Sequence, residues 1–464
     1  MPSADVVVVG AGLAGLVAAT RLAQAGAAVR LVAKGHATTH WGSGGIDVAA
    51  PAGAASPAEG IELLRHRPAH PYAILAGDVA PAVGWLLGLA GAAGLTYEGD
   101  LGGPIARVPT AIGGTRLACI LPAAQAAATR AWDPEEILLV AGPAGFKDFW
   151  PEAVAASLRR EHVWAGSSRP ANVLGVTIDL PGLRDRRNLN ALELARRFDD
   201  PRTRPACLDA LRAAVRAAAD GRRGRVALPA IIGLDAHPEA WRDLVAALPL
   251  APFEVPLVPP SVPGIRLYEV LRAALRSAGG RLEIGEPVVG IERSGDRVTG
   301  VVLATASRTR TIRTGALVLA TGGIAGGGIV GDVDGILHEP VLDLPVEDPG
   351  RDAWFAVDAL DPTGHPLEAA GIRTDGRLRP VEPGSGRPRY ANVHVAGALL
   401  AGARPLRERS GDGIAIASGW RAAAQLTGRD SGTPDSGTPD PVRPDTGRPD
   451  TGRPDTGTPA GAPV

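Results

Sequence analysis

The chain has 464 residues, 45% hydrophobic and 21% charged, with Lys+Arg 48 against Asp+Glu 49 and a formal charge of -1. Such a composition can bury a core and excludes wholesale disorder. With no basic surplus, nucleic-acid binding has no electrostatic footing.

The N-terminal apolar run, Val6 to Val9, is short, follows Asp5 and has no basic segment before it, so it does not read as a signal peptide. Asp5 to Val9 is instead a buried strand of β-branched residues. Gly10-Ala11-Gly12-Leu13-Ala14-Gly15 follows and opens an Ala-rich helix with Leu16, Ala19 and Leu22 on one face, stopped at Gly26. Ala28 to Val32 is the second strand. GxGxxG alone is weak in a chain with 61 glycines. Placed after a strand and at a helix start, it predicts a Rossmann-like phosphate cradle. Gly10 permits the tight turn, Gly12 lets a phosphate approach the backbone, and Gly15 lets helix and strand pack closely. The helix N-terminus offers unpaired N–H groups and a partial positive charge.

A dinucleotide site normally carries a carboxylate about 20 residues further on, for the adenosine ribose. Ala33, Lys34 and Gly35 stand there instead. Three readings follow: FMN, which has no adenosine ribose; FAD held by backbone contacts; or NADP with Lys34 on its 2′-phosphate. Lys34 also reads as a solvated strand end.

Val79 to Tyr97 is uncharged and long enough to span a membrane, but it contains Pro81, Gly84, Gly88, Gly91 and Gly94 and is otherwise Ala-rich. A buried or partner-facing helix is expected, and the protein reads as soluble. Strands at Ile137–Val140 and Val173–Asp179, with Ala/Leu/Arg helices, mark a long insertion from residue 51 to about 260. Cys119 and Cys207 are too few for an iron–sulfur cluster, which needs about four thiolates, and are expected to be free and buried.

Beyond the insertion, Leu267, Val270, Leu271 and Leu275 mark an amphipathic helix ending at Gly279 and Gly280. Short strands are expected around Leu282–Ile284, Val288–Ile291 and Val298–Leu303. Ala316 to Ala320 is a buried strand running into Thr321-Gly322-Gly323. Val393-His394-Val395 leads into Gly397, and a last helix begins near Gly411.

The fold class is therefore α/β: a Rossmann-like domain with a parallel sheet, interrupted by an inserted α+β cap. The nucleotide domain is expected over 1–50, 261–330 and 388–426, and the cap over 51–260 plus 331–387. From Thr427 to Val464 the chain repeats Ser-Gly-Thr-Pro-Asp and Thr-Gly-Arg-Pro-Asp units with no recurring apolar residue, which predicts a disordered tail.

The late glycines favour flavin over nicotinamide. Thr321-Gly322-Gly323 lets backbone pass close to a flat ligand. Gly411-Asp412-Gly413, at a helix start, points N–H groups at the place of a flavin's N1–C2=O end and stabilises the charge that reduction puts there.

At this point scattered blocks over most of residues 4–425 resemble the B-subunit family of the anaerobic glycerol-3-phosphate dehydrogenase. They are Asp5 to Gly15, Thr39 to Asp47, His70-Pro-Tyr72, Gly94 to Gly99 and Leu139 to Phe149, then Leu228 to Gly233, Phe253 to Leu267, Gly322 to Gly328 and Gly397 to Pro405. The proline-rich run from Phe253 to Leu267 is the most specific. The family is a flavoprotein distantly similar to fumarate-reductase-type flavoproteins. The resemblance implies a cytoplasmic complex, peripheral at the inner membrane through a partner. In it a FAD-carrying partner oxidises sn-glycerol 3-phosphate to dihydroxyacetone phosphate, and an iron–sulfur partner passes electrons to quinone. The B-subunit pairs with the FAD-carrying partner and is associated with FMN. FMN is the expected cofactor, because Ala33 offers nothing to a second ribose, with FAD the alternative. The cofactor-binding positions are expected at Gly10, Ala11, Gly12, Leu13, Ala14, Gly15, Ala33, Lys34, Gly35, Ser43, Gly44 and Gly45. Later in the chain they are Val289, Thr321, Gly322, Gly323, Gly397, Gly411, Asp412 and Gly413.

Flavin-dependent alcohol oxidation needs a base and a cationic site for the substrate's anion. His40, in the loop after the second strand, is the candidate base, and equally a flavin contact or filler. Arg266, entering a helix below Pro259-Pro260-Ser261, is the candidate clamp, and equally a structural cap. Arg116 and Arg404 are weaker candidates, His394 reads as a core histidine, and Glu254 as a loop anchor. No metal site is expected: the nine histidines show no HxH or HExxH spacing, and His66 and His70 sit in a proline-flanked loop. The function expected is that of one flavin-dependent oxidoreductase component of such a dehydrogenase. The alternatives are a non-catalytic electron relay beside a catalytic FAD protein, and an independent flavoprotein acting on another small hydroxy or amino acid.

Overall fold

The structure, a computed structural model, describes residues 3–161, 169–361 and 363–428. The pentapeptide repeats lie outside the described residues.

The chain begins in β-α-β order. β1 (Ser3–Val9) is buried from Val6 to Val9, as a strand covered on both faces requires. α1 (Leu13–Gln24) returns the chain, and β2 (Val29–Ala33) pairs with β1 in parallel, Val6 opposite Val29 and Val9 opposite Val32. α2 (Tyr72–Ala92) begins earlier than the expected apolar segment. It is long and apolar enough to cross a membrane. One face nonetheless packs inward through Tyr72, Leu75, Val79, Val83 and Leu86, and buried Asp78 pairs with Arg421 at 2.6 Å.

The insertion is α/β rather than the α+β expected. β3 (Ile137–Pro143), β4 (Asn172–Ile178), β5 (Gly224–Pro229) and β6 (Ala251–Val255) form a second sheet in the order β6-β5-β3-β4, every pair parallel. Helices at Pro151–Arg160, Arg204–Ala219 and His237–Ala247 supply the crossovers that parallel pairing needs. β5 and β6 escaped the sequence reading because each is short and contains proline, which reads as loop.

α3 (Val262–Ser277) leads back, and β7 (Arg281–Ile284) adds in parallel to β2. β8 (Val288–Ser294) and β9 (Arg297–Ala304) form an antiparallel meander with the first half of β10 (Thr309–Leu319). The second half of β10 runs parallel between β1 and β11 (Val393–Val395). α4 (Gly411–Thr427) lies against α1, so closely that a Cβ on Gly419 would stand 2.3 Å from the Ala14 carbonyl oxygen. The first sheet therefore reads β7-β2-β1-β10-β9-β8, with β11 beside β10.

Buried side chains divide into two cores. One joins α1, α2, α4 and the first sheet; the other gathers residues between Val108 and Val262. This division differs from the expected limits at 51 and 331–387, since Leu64, Leu75, Leu342, Ile372 and Leu378 all pack into the first core. Cys119 and Cys207 are free and buried, one in each core.

Candidate functional site

The glycines after β1 do three different jobs. A Cβ on Gly10, whose φ is 110°, would stand 2.1 Å from the Ala320 carbonyl oxygen, and one on Gly15 would stand 1.9 Å from that of Gly10. Both positions are closed by the protein's own backbone. Gly12 is open: a Cβ there would meet only the Ala37 Cβ at 3.7 Å. α1 has no acidic residue in its first turn, and Gly12 contributes no side-chain cap, so the leading N–H groups remain for an anion. Ala11, Leu13 and Ala14 are buried behind this turn.

After β10, Thr321 Oγ1 is buried beneath the loop at Gly328, without a hydrogen-bond partner among the described residues. The backbone at Gly322 and Gly328 is folded so tightly that a Cβ on Gly328 would stand 1.8 Å from the Gly322 oxygen. Gly323 lies against Ala398, and Gly397 lies against Ala14 while donating its N–H to Ser418 Oγ at 2.8 Å. The turns at Gly10, Thr321 and Gly397 thus meet at one end of the sheet. A space at Gly12, an uncapped helix and a partnerless buried hydroxyl fit a bound flavin nucleotide.

The end of β2 offers no ribose carboxylate. Ala33 is buried and its carbonyl accepts from the Gly285 N–H at 2.9 Å. Glu283, opposite Val32 on β7, is held by Arg30 at 2.8 Å and by Arg310 at 2.5 Å. Lys34 is exposed, with Nζ 3.6 Å from where a Gly327 Cβ would lie, which links the turn at Gly35 to the glycine loop after β10. Val289 is exposed on β8.

A second polar group gathers around Ser43. Its Oγ accepts from Arg116 Nη2 at 2.9 Å and from the Gly45 N–H at 3.2 Å, and its carbonyl accepts from Gln125 Nε2 at 2.8 Å. Gly44, with φ 78°, accepts from Tyr97 Oη at 2.8 Å and leaves no room for a side chain against Pro263. The Asp47 carboxylate faces Arg116 at 3.4 Å and Arg409 at 3.8 Å. The Asp47 N–H donates to Asp412 Oδ2 at 3.0 Å, and the Gly413 N–H donates to the Asp47 carbonyl at 3.1 Å. The helix start at Gly411 is thereby tied to the loop at Ser43. Burial, reinforced by the adjacent Asp47 charge, pushes Asp412 up to about 7. Burial also raises Asp47, against the pull of Arg116 and Arg409. Asp47 and Tyr72, whose hydroxyl donates to the Val48 carbonyl, were not singled out from the sequence. Their only signal was membership of the blocks Thr39 to Asp47 and His70-Pro-Tyr72.

His40 sits in the helical turn Thr38–Trp41, its ring stacked on His36 at 4.6 Å and edge-on to Tyr268 at 4.4 Å. Its Nε2 and the Tyr268 hydroxyl are both buried without a partner among the described residues. Burial and the neighbouring His36 lower His40 to about 4, so the ring is neutral at ordinary pH.

Arg266 is not available as an anion clamp, which corrects the expectation drawn for it. Its guanidinium is buried and pairs with Glu254 at 2.6 Å, while Nε donates to the Gly233 carbonyl at 2.9 Å and Nη2 to that of Ile232 at 3.0 Å. Arg404 Nη1 donates to the Thr363 carbonyl at 3.1 Å. His394 is a buried histidine whose Nδ1 lies 2.7 Å from the Arg377 oxygen. His66 and His70 have separate partners, Glu62 and Glu408.

Residues 5–414 match the family model of the FAD binding domain, which gives FAD and not the expected FMN as the cofactor of that family. The chain is 35% identical over 435 residues to the probable anaerobic glycerol-3-phosphate dehydrogenase B-subunit of Halobacterium salinarum, covering 90% of this chain and 96% of that one. It is 32% identical over 441 residues to the anaerobic glycerol-3-phosphate dehydrogenase B-subunit of Yersinia enterocolitica, covering 91% and 97%. Among solved structures it is similar to 3-ketosteroid delta1-dehydrogenase from Sterolibacterium denitrificans, with TM-score 0.42, 12% identity and coverage of 92% and 100%. It is also similar to a flavocytochrome c3 fumarate reductase, with TM-score 0.41, 11% identity and coverage of 92% and 78%. With nine-tenths of its length aligned at this identity, the chain belongs to the B-subunit family of the anaerobic glycerol-3-phosphate dehydrogenase, among the FAD-binding oxidoreductases.

Proposed function

We propose that this chain is the flavin-carrying component of an anaerobic-type glycerol-3-phosphate dehydrogenase. It oxidises sn-glycerol 3-phosphate to dihydroxyacetone phosphate and passes electrons towards quinone through partner proteins. The observation that carries the reading is the open approach to Gly12 at an uncapped helix start directly after β1. A bound flavin supplies the two-electron acceptor. The chain's own residues do the rest. The first turn of α1 holds the cofactor's phosphate. The start of α4 at Gly411 to Gly413 is taken up with holding the loop at Asp47, whose N–H and carbonyl it pairs. His40, neutral and with its buried Nε2 unpaired, is the group proposed to take the proton from the substrate's hydroxyl in the transition state and, since its ring is protonated only near 4, to pass it on to solvent. Arg116 and Arg409 are the cations remaining for the substrate's phosphate once Arg266 is spent on Glu254. The family match supports FAD, held at its adenosine end without a ribose carboxylate. The proposed location is the cytoplasm, with the membrane reached through an iron–sulfur partner.

One observation favours a second reading, an electron relay beside a catalytic FAD protein: Arg116 and Arg409 are themselves engaged by Asp47, which weakens an anion site. Anaerobic mixing of the isolated holoprotein with glycerol 3-phosphate separates the two. Bleaching of the flavin by substrate alone supports the dehydrogenase, and bleaching only after addition of the FAD-carrying partner supports the relay.

A further inference from the structure

The segment after the glycine loop is unlike the rest of the surface. Between residues 330 and 361 it carries nine carboxylates against Arg351 alone, a formal charge of -8 in a chain whose total is -1. Glu339 is buried and Asp361 half-buried; the other seven acids are exposed. Asp334, Asp352 and Asp358 have no ion-pair partner among the described residues. Amid this charge stand large apolar side chains in water: Phe355 is 64% exposed, Leu406 70%, Leu360 86% and Val333 94%, with Val357 fully exposed.

The segments that carry these residues adjoin one another. Arg351 Nη1 donates to the Asp334 carbonyl at 2.9 Å, and a Cβ on Gly335 would stand 2.5 Å from Arg351 Cδ, so the turn bearing Val333 rests on the segment leading into Phe355. At the other end, Arg404 Nη1 holds the Thr363 carbonyl and Arg407 faces Glu368 at 3.9 Å, which sets Leu406 beside the same loop. The acidic segment starts beside the proposed cofactor site: the hairpin pairing Val330 with His338 follows in sequence from the glycine loop whose Gly327 lies by Lys34.

We propose that this face docks a redox-active partner protein presenting a basic rim around an apolar centre. Exposed apolar clusters with a charged surround mark interaction sites, and the sign of the surround selects the partner. The same sign excludes the other occupants. A second copy would bring the unpaired Asp334, Asp352 and Asp358 against their like. An anionic lipid surface would be repelled. The chain's own residues 429–464 carry six Asp against four Arg and few apolar side chains, so they match neither the charge nor the apolar centre. The proposal rests on the chain's proposed place in a multi-component dehydrogenase, in which electrons leave the flavin for a protein able to hold the clusters that two cysteines cannot.

The test titrates the full-length holoprotein with the purified FAD-carrying partner and, separately, with the purified iron–sulfur partner, and maps the contact by hydrogen exchange. Binding to the iron–sulfur partner that protects residues 330–360 is expected; protection of this segment by the FAD-carrying partner instead overturns the proposed occupant. Leu360→Asp and Val357→Asp should each weaken it at least about 10-fold, as loss of a buried interface anchor does. The pair Asp352→Lys with Asp358→Lys should weaken it too, as should a rise in salt from about 50 mM to about 500 mM. Ile112→Asp, an exposed residue of the insertion, should change nothing. If the holoprotein binds a partner but Leu360→Asp binds as tightly, the surface is wrong and the proposed place in the dehydrogenase stands. If it binds neither partner, both are wrong. Self-association abolished by Leu360→Asp, or capture by phosphatidylglycerol vesicles in place of protein, overturns the proposed occupant.

Discussion

Arg266 and Glu254 face each other in a two-pronged ion pair, 2.6 Å from Nη1 to Oε2 and 3.0 Å from Nη2 to Oε1, with both side chains shut away from water. The pair fastens the start of α3 to the backbone at Ile232 and Gly233, since Glu254 also accepts from the Ile232 N–H at 3.0 Å. Removing one member strands a buried charge. Arg266→Ala is therefore expected to lose on the order of 3–5 kcal/mol in denaturant unfolding. A substrate clamp behaves otherwise, with unchanged unfolding and a raised KM, and that outcome would return Arg266 to the substrate site.

Asp412 sets a pH dependence whose sign follows from its environment. A carboxyl held near 7 in the folded chain and near 3.8 when unfolded binds its proton more tightly in the folded state. Its contribution is complete below about pH 4, falls as pH rises towards about 7, and is flat above. Asp412→Asn keeps an acceptor for the Asp47 N–H and removes the charge. Thermal melts of the apo-protein should show wild-type behaviour near pH 4 and a gain of at most about 4 kcal/mol at pH 8. Equal gains at both pH values would show that the charge is not the cause.

His40 makes a different prediction. With its ring held to about 4 by burial and His36, flavin reduction by glycerol 3-phosphate should stay level from pH 8 down to pH 5 as far as this group is concerned. His40→Gln should slow reduction by about 100-fold or more, the usual contribution of a general base, while the flavin remains bound. An acid limb near 6.5 that vanishes in His40→Gln would place the ring in water, contrary to the stack on His36 and Tyr268.

The parts of this molecule that depend on local pattern were legible in the sequence. β1, the glycine turn, α1 and β2, the strand into Thr321 and the helix from Gly411 all rest on short-range periodicity and turn chemistry, and the structure has them in place. What escaped depends on partners brought together by the fold. For Arg266 the sequence left clamp and structural cap equally open, and only Glu254 across the proline-rich turn decides for the structural role. Asp47 reads as a loop residue until Asp412, distant in the chain, accepts its N–H. Of the second sheet, β3 and β4 were legible and only β5 and β6 escaped, because each is short, contains proline and derives its stability from its neighbours. The FMN expectation took Ala33 as decisive, whereas the family match over residues 5–414 is to a FAD binding domain.

The central claim is that Gly12 opens on a flavin, and acid extraction of the purified chain measures it. The account predicts about one FAD per wild-type chain. It also predicts a Gly12→Ala variant that melts as the wild-type apo-protein does, because a Cβ there meets only the Ala37 Cβ at 3.7 Å, yet retains less than about a tenth of the flavin. A colourless wild-type chain that takes up neither added FAD nor FMN, or a Gly12→Ala variant with its flavin undiminished, would contradict it.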